Sequence, residues 1–307
     1  MSKQRSAIRN RAEFAAYRMT RRMVGSLGPR GVARVGEVLG ELFLTLGRRR
    51  REILRFNLDL AYPATEPAER RRLAKDVSRH FGRVSLDALR IHRLEPDELL
   101  HEVDVVGFDH AAAAASRGRG IIYLSAHLGL WEVAGLAGGL VRPETILAVN
   151  RPLDNPLLEA EVTRFRGRFG NVPLGKRNIL RAILRHLADR GAVGFLIDQR
   201  VNPDVGVEVP FFDQPTWTHP ILARVARKTR APVVPVCALW EGPGRYSMRL
   251  FEPIFPDELA EEELSDVSLT ARFSAVTERM IRQRPGQWLW FHDRWRELRL
   301  AQEGGNR

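Results

Sequence analysis

The chain has 307 residues, of which 44% are hydrophobic and 28% charged, and carries a net charge of +12. This leaves room for a substantial core and excludes an intrinsically disordered chain. Its one cysteine, Cys237, excludes an intrachain disulfide, and no Cys/His cluster has zinc-ligand spacing, so a reducing compartment is the simpler reading.

Residues 1–60 hold fourteen Lys/Arg against five Asp/Glu, so a net +9 of the total +12 sits in the first fifth of the chain. Such asymmetry suits an anionic surface, and nucleic acid, anionic lipid and a merely solvated arginine-rich face all fit it. Within 32–46, Val32, Val35, Leu39, Leu42, Phe43 and Leu46 recur at three- and four-residue steps, which predicts an amphipathic helix. Arg34, Glu37 and Glu41 interrupt it, and it is shorter than the ~20 apolar residues of a membrane span. Running into Arg48 to Arg51, the stripe suits a helix lying in a membrane interface, and it equally suits packing on the protein's own core. No basic start leading into an uninterrupted apolar stretch marks a signal peptide, which predicts a protein on the cytosolic side.

The first 95 residues read as helices broken at Pro63, Pro67 and Pro96, with a helical period over 73–94. We therefore expect a basic, membrane-associating helical region over 1–95 and an α/β catalytic domain over 96–307. In the second part, strands are predicted at 103–106, 121–124, 145–149, 193–197, 233–239 and 246–251. Helices are predicted at 109–116, 130–140, 157–169, 179–190, 217–229 and 267–283. Strands separated by long helices predict a mostly parallel central sheet flanked by helices. Ligands of such sheets bind at the carboxyl ends of strands, which directs attention to the residues just after Leu124 and Ile197.

The first of these ends reads Ser125-Ala126-His127-Leu128-Gly129-Leu130-Trp131-Glu132. On one continuous helix, positions five apart diverge by about 140°. With His127 on the turn and Gly129 relaxing the backbone, Glu132 falls in the first helical turn and reaches back to the imidazole. A carboxylate on one ring nitrogen makes the other a base for an alcohol, although a core histidine beside a capping glutamate fits the residues as well. The second end, Gly194 to Arg200, places Asp198, Gln199 and Arg200 after an apolar strand, as a half-site or an ordinary turn. No Gly-x-Ser-x-Gly elbow, Walker loop, dinucleotide fingerprint or His-Glu-x-x-His motif is present.

The box His127-Leu-Gly-Leu-Trp-Glu132 resembles the His-x₄-Glu box of the lipid A late (lauroyl/myristoyl) acyltransferase family, within the lysophospholipid acyltransferase group. Five more segments support the resemblance in order along the chain. Arg55-Phe56-Asn57-Leu58 with Tyr62-Pro63 is similar to the family's early block, and Asn150-Arg151-Pro152-Leu153-Asp154-Asn155-Pro156-Leu157 to its Arg-Pro…Asn-Pro block, with Arg164 and Arg168 beyond it. Gly194 to Gln199, Val209-Pro210-Phe211-Phe212 with Ala231-Pro232-Val233-Val234-Pro235, and Gln287-Trp288-Leu289-Trp290…His292…Arg294-Trp295 complete it. Leu130 departs from the Asn common before the tryptophan, and the N-terminal membrane segment is less evident than in many members.

The resemblance implies a glycerolphosphate acyltransferase-like fold and acyl transfer to a hydroxyl of a membrane glycolipid, most simply a lipid A precursor. The donor would be a thioester of acyl carrier protein or coenzyme A, with neither metal nor cofactor. It makes His127 the general base, Glu132 its orienting partner, Arg151 and Arg164 donors to the tetrahedral oxyanion, and Asp198 the residue that positions one of those arginines. It further implies substrate contacts from Gly129, Trp131, Asn150, Asn155 and Gln199. Lys176, Arg177 and Arg181 read as holding a phosphate or a carrier protein's acidic face, or as an exposed helix face. The resemblance also implies a peripheral or N-terminally anchored place on the cytoplasmic face of the inner membrane. A mannosylated inositol lipid or a lysophospholipid is the alternative acceptor; relatives acting on the inositol lipid more often carry Asp at the last box position, so Glu132 favours lipid A. Outside acyl transfer, the charge alone leaves a basic nucleic-acid-binding protein, against which the apolar stripe between the arginines and the lack of a nucleic-acid motif both count.

Overall fold

A computed structural model describes residues 6–142, 145–148, 153–173 and 179–305. Four helices come first: α1 (Ala7–Gly25), α2 (Pro29–Leu46), α3 (Arg48–Ala61) and α4 (Pro67–Ile91). Ser6 caps α1 by accepting from the Arg9 N–H at 3.2 Å, and Pro29 and Pro67 open α2 and α4, where a missing N–H costs nothing.

The packing of α2 divides the expected stripe. Its buried residues are Val32, Ala33, Gly36 and Gly40, and Ser78 Oγ of α4 donates to the Gly40 carbonyl at 2.5 Å. A Cβ on Gly82 of α4 would overlap the Gly36 carbonyl, so the absence of side chains is what lets these helices approach so closely. The large residues turn outward instead: Val35, Leu39, Leu42 and Leu46 are 42%, 46%, 48% and 79% exposed. Among the described residues no helix is long and apolar enough to cross a membrane.

After α5 (Pro96–His101) the chain alternates: β1 (Val103–Val106), α6 (Phe108–Ala115), β2 (Ile121–Ser125), α7 (Trp131–Val141), β3 (Ile146–Ala148), α8 (Pro156–Gly167), β4 (Asn171–Pro173), α9 (Ile179–Ala188) and β5 (Ala192–Leu196). Next come β6 (Val207–Phe211), β7 (Gln214–Thr218), α10 (Ile221–Thr229), β8 (Val233–Gly242), β9 (Arg245–Leu250), α11 (Asp266–Gln283) and α12 (Arg296–Gly305). The seven-stranded sheet has the order β1-β9-β8-β2-β5-β3-β4, and only the β8–β9 pair is antiparallel. The expected mostly parallel sheet flanked by helices is therefore present.

Two local expectations differ. A helix expected over 217–229 begins at Ile221, because Trp217 and Thr218 close the antiparallel hairpin β6–β7. The helix α5, the edge strand β4, the hairpin strands β6 and β7 and the terminal helix α12 are additions to the expected elements; three residues of β4 carry too little pattern to read. The helices before residue 95 also share a core with the sheet. Leu54, Leu58 and Val77 belong to one apolar cluster with Ala126, Cys237, Phe211 and Trp288.

Candidate active site

Strand pairing explains why two separate loops meet. In the parallel pair β2–β5, Ser125 lies opposite Leu196. His127 and Asp198 each stand two residues beyond those partners, so the same register carries them side by side at the carboxyl edge of the sheet. His127 Nδ1 donates to Asp198 Oδ1 at 2.9 Å, and the His127 backbone N–H donates to Oδ2 at 2.9 Å. Trp288 Nε1 donates to the same Oδ2 at 2.7 Å. Three donors converge on a carboxylate whose side chain is 1% exposed, while the imidazole is 18% exposed.

Burial pushes the Asp198 carboxyl upward, but the charge and hydrogen bond of His127, the Trp288 indole and the backbone N–H outweigh it and hold the group down at about 2. Burial likewise opposes a charge on His127, yet Asp198 by charge and hydrogen bond, with Glu132 behind it, raises the imidazole above its ordinary value. The carboxylate fixes the ring proton on Nδ1 and leaves the lone pair on Nε2, where the Gln199 amide nitrogen donates at 3.1 Å. Trp131 closes edge-on against the ring, with centroids 4.8 Å apart.

The loop after His127 is threaded through the fold. The Gly129 N–H donates to the Gln287 carbonyl at 3.0 Å, and the Leu130 N–H donates to the Ala238 carbonyl at 2.9 Å. Gly129 holds φ +63°, and a Cβ there would overlap the Ala238 carbonyl, so its role is steric and it does not line the cavity beside the histidine.

That cavity has a volume of about 700 Å³. His127, Glu132, Arg142, Arg166, Asn171 and Gln199 are among its charged and amide groups. Most of the remaining wall is apolar, with Val141, Ile146, Met248 and Leu250, and the glycines Gly135 and Gly138 of α7 leave space where side chains would stand. Ser125 Oγ is buried against the cavity with no hydrogen-bond partner.

Several expected roles shift on this geometry. Glu132 does not hydrogen-bond the histidine: it forms a two-pronged pair with Arg166, whose Nε donates to Oε2 at 3.1 Å. The carboxylate bonded to His127 is Asp198, which orients the imidazole, and among the described residues no arginine donates to it. Arg164 is 75% exposed and donates to Glu161 at 3.3 Å, away from the cavity. Positions two apart on a helix diverge by about 200°, which turns Arg166 inward where Arg164 turns out. Asn155 is 2% exposed; its carbonyl caps α8 by accepting from the Leu157 N–H at 3.0 Å, and its amide donates to Asn10 O and Glu13 Oε2 at 3.0 Å. It is a structural cap and not a cavity residue. Trp131 and Gln199 do line the cavity, and Arg181 is exposed. Asn150, Arg151, Lys176 and Arg177 lie outside the described residues. Among the described residues no group of acidic, histidine or cysteine side chains has metal-site geometry.

Arg166, Trp288 and Ser125 are site residues to which the sequence alone assigns no role. Only Arg166 carries a usable signal, standing one helical turn after Val162, which also lines the cavity.

Comparison with known proteins bears on this site. The chain is 27% identical over 275 residues to the lipid A biosynthesis lauroyltransferase of Escherichia coli, covering 86% of this chain and 85% of that one. It is 28% identical over 268 residues to the palmitoleoyltransferase of lipid A biosynthesis from the same species, covering 85% and 84%. A phosphatidylinositol mannoside acyltransferase of Mycolicibacterium smegmatis is 26% identical over 225 residues, covering 70% and 69%. Among solved structures, the 1-acyl-sn-glycerophosphate acyltransferase of Thermotoga maritima is similar with a TM-score of 0.38 at 16% identity, covering 82% of this chain and 95% of that one. Residues 2–297 match the family described as bacterial lipid A biosynthesis acyltransferase, and the chain belongs to that family of acyltransferases.

Proposed function

We propose that the protein transfers a fatty acyl chain from an acyl thioester of acyl carrier protein or coenzyme A to a hydroxyl of a lipid A precursor. The observation that carries this is a histidine–carboxylate pair at the wall of a largely apolar cavity of about 700 Å³, within the ~300–1,000 Å³ usual for small-molecule pockets. The acyl chain occupies the apolar part, which brings the thioester carbon near His127. The acceptor hydroxyl takes the place of the Gln199 amide at Nε2, gives its proton to that nitrogen, and attacks the carbonyl carbon. The C–O bond forms, the C–S bond breaks, and the proton passes from the imidazolium to the departing thiolate. Charge on the tetrahedral oxygen needs fixed donors, and the Arg166 guanidinium and the unpartnered Ser125 hydroxyl are two of the described groups that line the cavity and offer them.

The exposed residues Val35, Leu39, Leu42 and Leu46, with the exposed Arg48 next in the chain, give the enzyme a face suited to lie in an anionic membrane interface. This favours peripheral attachment on the side where thioester donors are made.

The test is transfer from labelled acyl carrier protein or acyl-coenzyme A, in detergent micelles, to a lipid A precursor or to a mannosylated inositol lipid. Acylation of the lipid A precursor is the expected result. Acylation of the inositol lipid alone would replace the acceptor, and no transfer to either would overturn the reading.

Cavity shape supplies a second measurement. A Cβ at Gly135 meets open space, and replacing a helical glycine does not weaken the helix. Gly135→Phe is expected to shift donor preference toward shorter chains, lowering kcat/KM for the longest accepted chain by about 10–200-fold, the range associated with loss of one or more methylene contacts. Competition between donors of different length measures it, and an unchanged length profile would place the acyl chain elsewhere.

A further inference from the structure

A second cavity, of about 300 Å³, is lined by Arg49, Arg50, Ile53, Arg200, His292, Asp293 and Arg296, and shares no lining residue with the first. Its one acidic lining residue, Asp293, and the neighbouring Glu297 are already paired. Asp293 accepts from Arg299 at 2.6 and 2.9 Å, and Glu297 accepts from Arg200 at 2.5, 2.9 and 3.1 Å. Among the described residues no ion pair holds Arg49, Arg50 or Arg296, and Arg50 donates only to the Phe291 carbonyl, at 2.9 Å. Three guanidinium groups therefore line the cavity with no ion pair of their own, and the nearby carboxylates Asp293 and Glu297 are held by Arg299 and Arg200.

Their placement adds to the field. Arg49 and Arg50 stand in the first turn of α3 and Arg296 begins α12; neither Gly47 nor any acidic residue offsets the positive end of α3. The positive end of α3 thus raises the potential in the cavity, whereas Glu297 in the first turn of α12 offsets that helix's end. A lone anion-binding feature would be a helix end; here the end of α3, three arginines without ion pairs and a concave wall coincide.

The cavity is also tied to the reacting groups. The Arg200 N–H donates to His292 Nε2 at 2.9 Å, which leaves the proton of the neutral ring on Nδ1 as a further donor. Arg200 follows Gln199 and stands two residues from Asp198, within about 7 Å along the chain. Burial, foremost among its surroundings, holds His292 down at about 4, while Asp198 and His127 lie close enough to act on it.

We infer that this cavity binds a phosphate monoester, carried by the lipid acceptor, and thereby sets which hydroxyl reaches His127. A monoester carries about −1.5 to −2 charge at neutral pH, which suits three guanidinium groups better than a carboxylate does, and guanidinium forks match phosphate oxygens in pairs. The donor's acyl chain fills the other cavity, so an anchor on the far side of Gln199 serves the partner that brings the hydroxyl. The inference rests on the acyl-transfer reading for its acceptor but not for its anion.

Two arms test it with R49E/R296E in the full chain. In the first, glucose 1-phosphate and glucose are titrated against the protein and binding is followed by NMR at fixed ionic strength. Wild type is expected to prefer the phosphate ester, and the variant to bind it at least tenfold more weakly. Equal binding of both sugars by wild type would overturn the site, whether or not acyl transfer occurs. In the second, kinetics are measured with a phosphorylated glycolipid acceptor and with the same acceptor after phosphatase treatment. The variant is expected to raise KM for the phosphorylated acceptor about 10–100-fold, with kcat, the donor KM and the KM of the dephosphorylated acceptor unchanged. A rise in the donor KM instead would assign the phosphate to the donor and overturn the acceptor assignment. A loss equal for both acceptors, matched by weaker binding to anionic vesicles, would make these arginines a membrane contact and overturn it too. Absence of transfer by wild type, with sugar-phosphate binding retained, would sink the acyl-transfer reading and leave the anion site standing.

Discussion

Replacing His127 with alanine is expected to lower acyl transfer by about 10²–10⁴-fold, the usual contribution of a positioned general base. The substitution removes the Nε2 lone pair that receives the hydroxyl proton and leaves the backbone N–H of residue 127 bonded to Asp198 Oδ2. Trp288 also keeps its bond to that oxygen, so two of the three donors on Asp198 survive. Only Oδ1 loses its partner, a cost of about 1–3 kcal/mol that leaves the fold intact. Circular dichroism and thermal melting establish the fold, and single-turnover transfer from a labelled thioester measures the rate. Turnover within tenfold of wild type would remove His127 from the chemistry.

Asp198→Asn is expected to cost nearly as much, on the order of 10⁴-fold, although the side chain keeps its shape. The carboxylate accepts from three donors at once, and an amide presents only one oxygen. Either His127 Nδ1 or the pair formed by Trp288 and the backbone N–H then faces an NH₂ group. Relief comes when the imidazole moves its proton to Nε2, which is the atom that must be free to act as base. The pH profile separates this from simple unfolding. In wild type the raised His127 pKa places the acid limb of the rate above 6.5, since only the neutral ring accepts a proton. In the variant the larger raising charge is gone and only that of Glu132 opposes burial, so the limb moves to lower pH. Stability follows the same groups with opposite signs. The His127 contribution is complete below pH 6.5 and is lost as pH rises through its folded value, whereas that of Asp198 is present above pH 3.8 and is lost as pH falls toward about 2. An acid limb unmoved by D198N would mean that the carboxylate does not tune the base.

Much of the scaffold is legible in the sequence because helical and strand periods are local. The predicted strands at 103–106, 121–124 and 193–197 fall within a residue of β1, β2 and β5, and the alternation predicts their parallel sheet. The two strand ends that this alternation singles out are the ones that carry His127 and Asp198. Pairing between them is not legible, because strand order is decided by crossovers that leave no periodic trace. With β2 beside β5, Asp198 becomes the nearer carboxylate, and Glu132 is left to Arg166. Proximity in sequence favours Glu132 for a histidine whose partner lies 71 residues away. Trp288 is illegible for the same reason: nothing local distinguishes an indole that closes a core from one that also bonds a carboxylate. The amphipathic stripe of α2 is visible as a pattern, but which side faces the protein depends on Gly36, Gly40 and Gly82 meeting across two helices.

The Trp288 bond has a kinetic meaning as well as a static one. His127, Asp198 and Trp288 come from three segments, with Asp198 separated by 71 residues from the first and 90 from the last. Closing loops of that length is slow, because their entropy is lost before any contact compensates. Helices α1 to α4 depend on short-range bonds and form early. During refolding, helical signal should therefore return well before a competent base does, and a helix-rich species without an oriented histidine should accumulate in between. Such a species would expose the outward residues of α2 while the cavity is still unformed, so a membrane surface would meet the protein before its chemistry is ready.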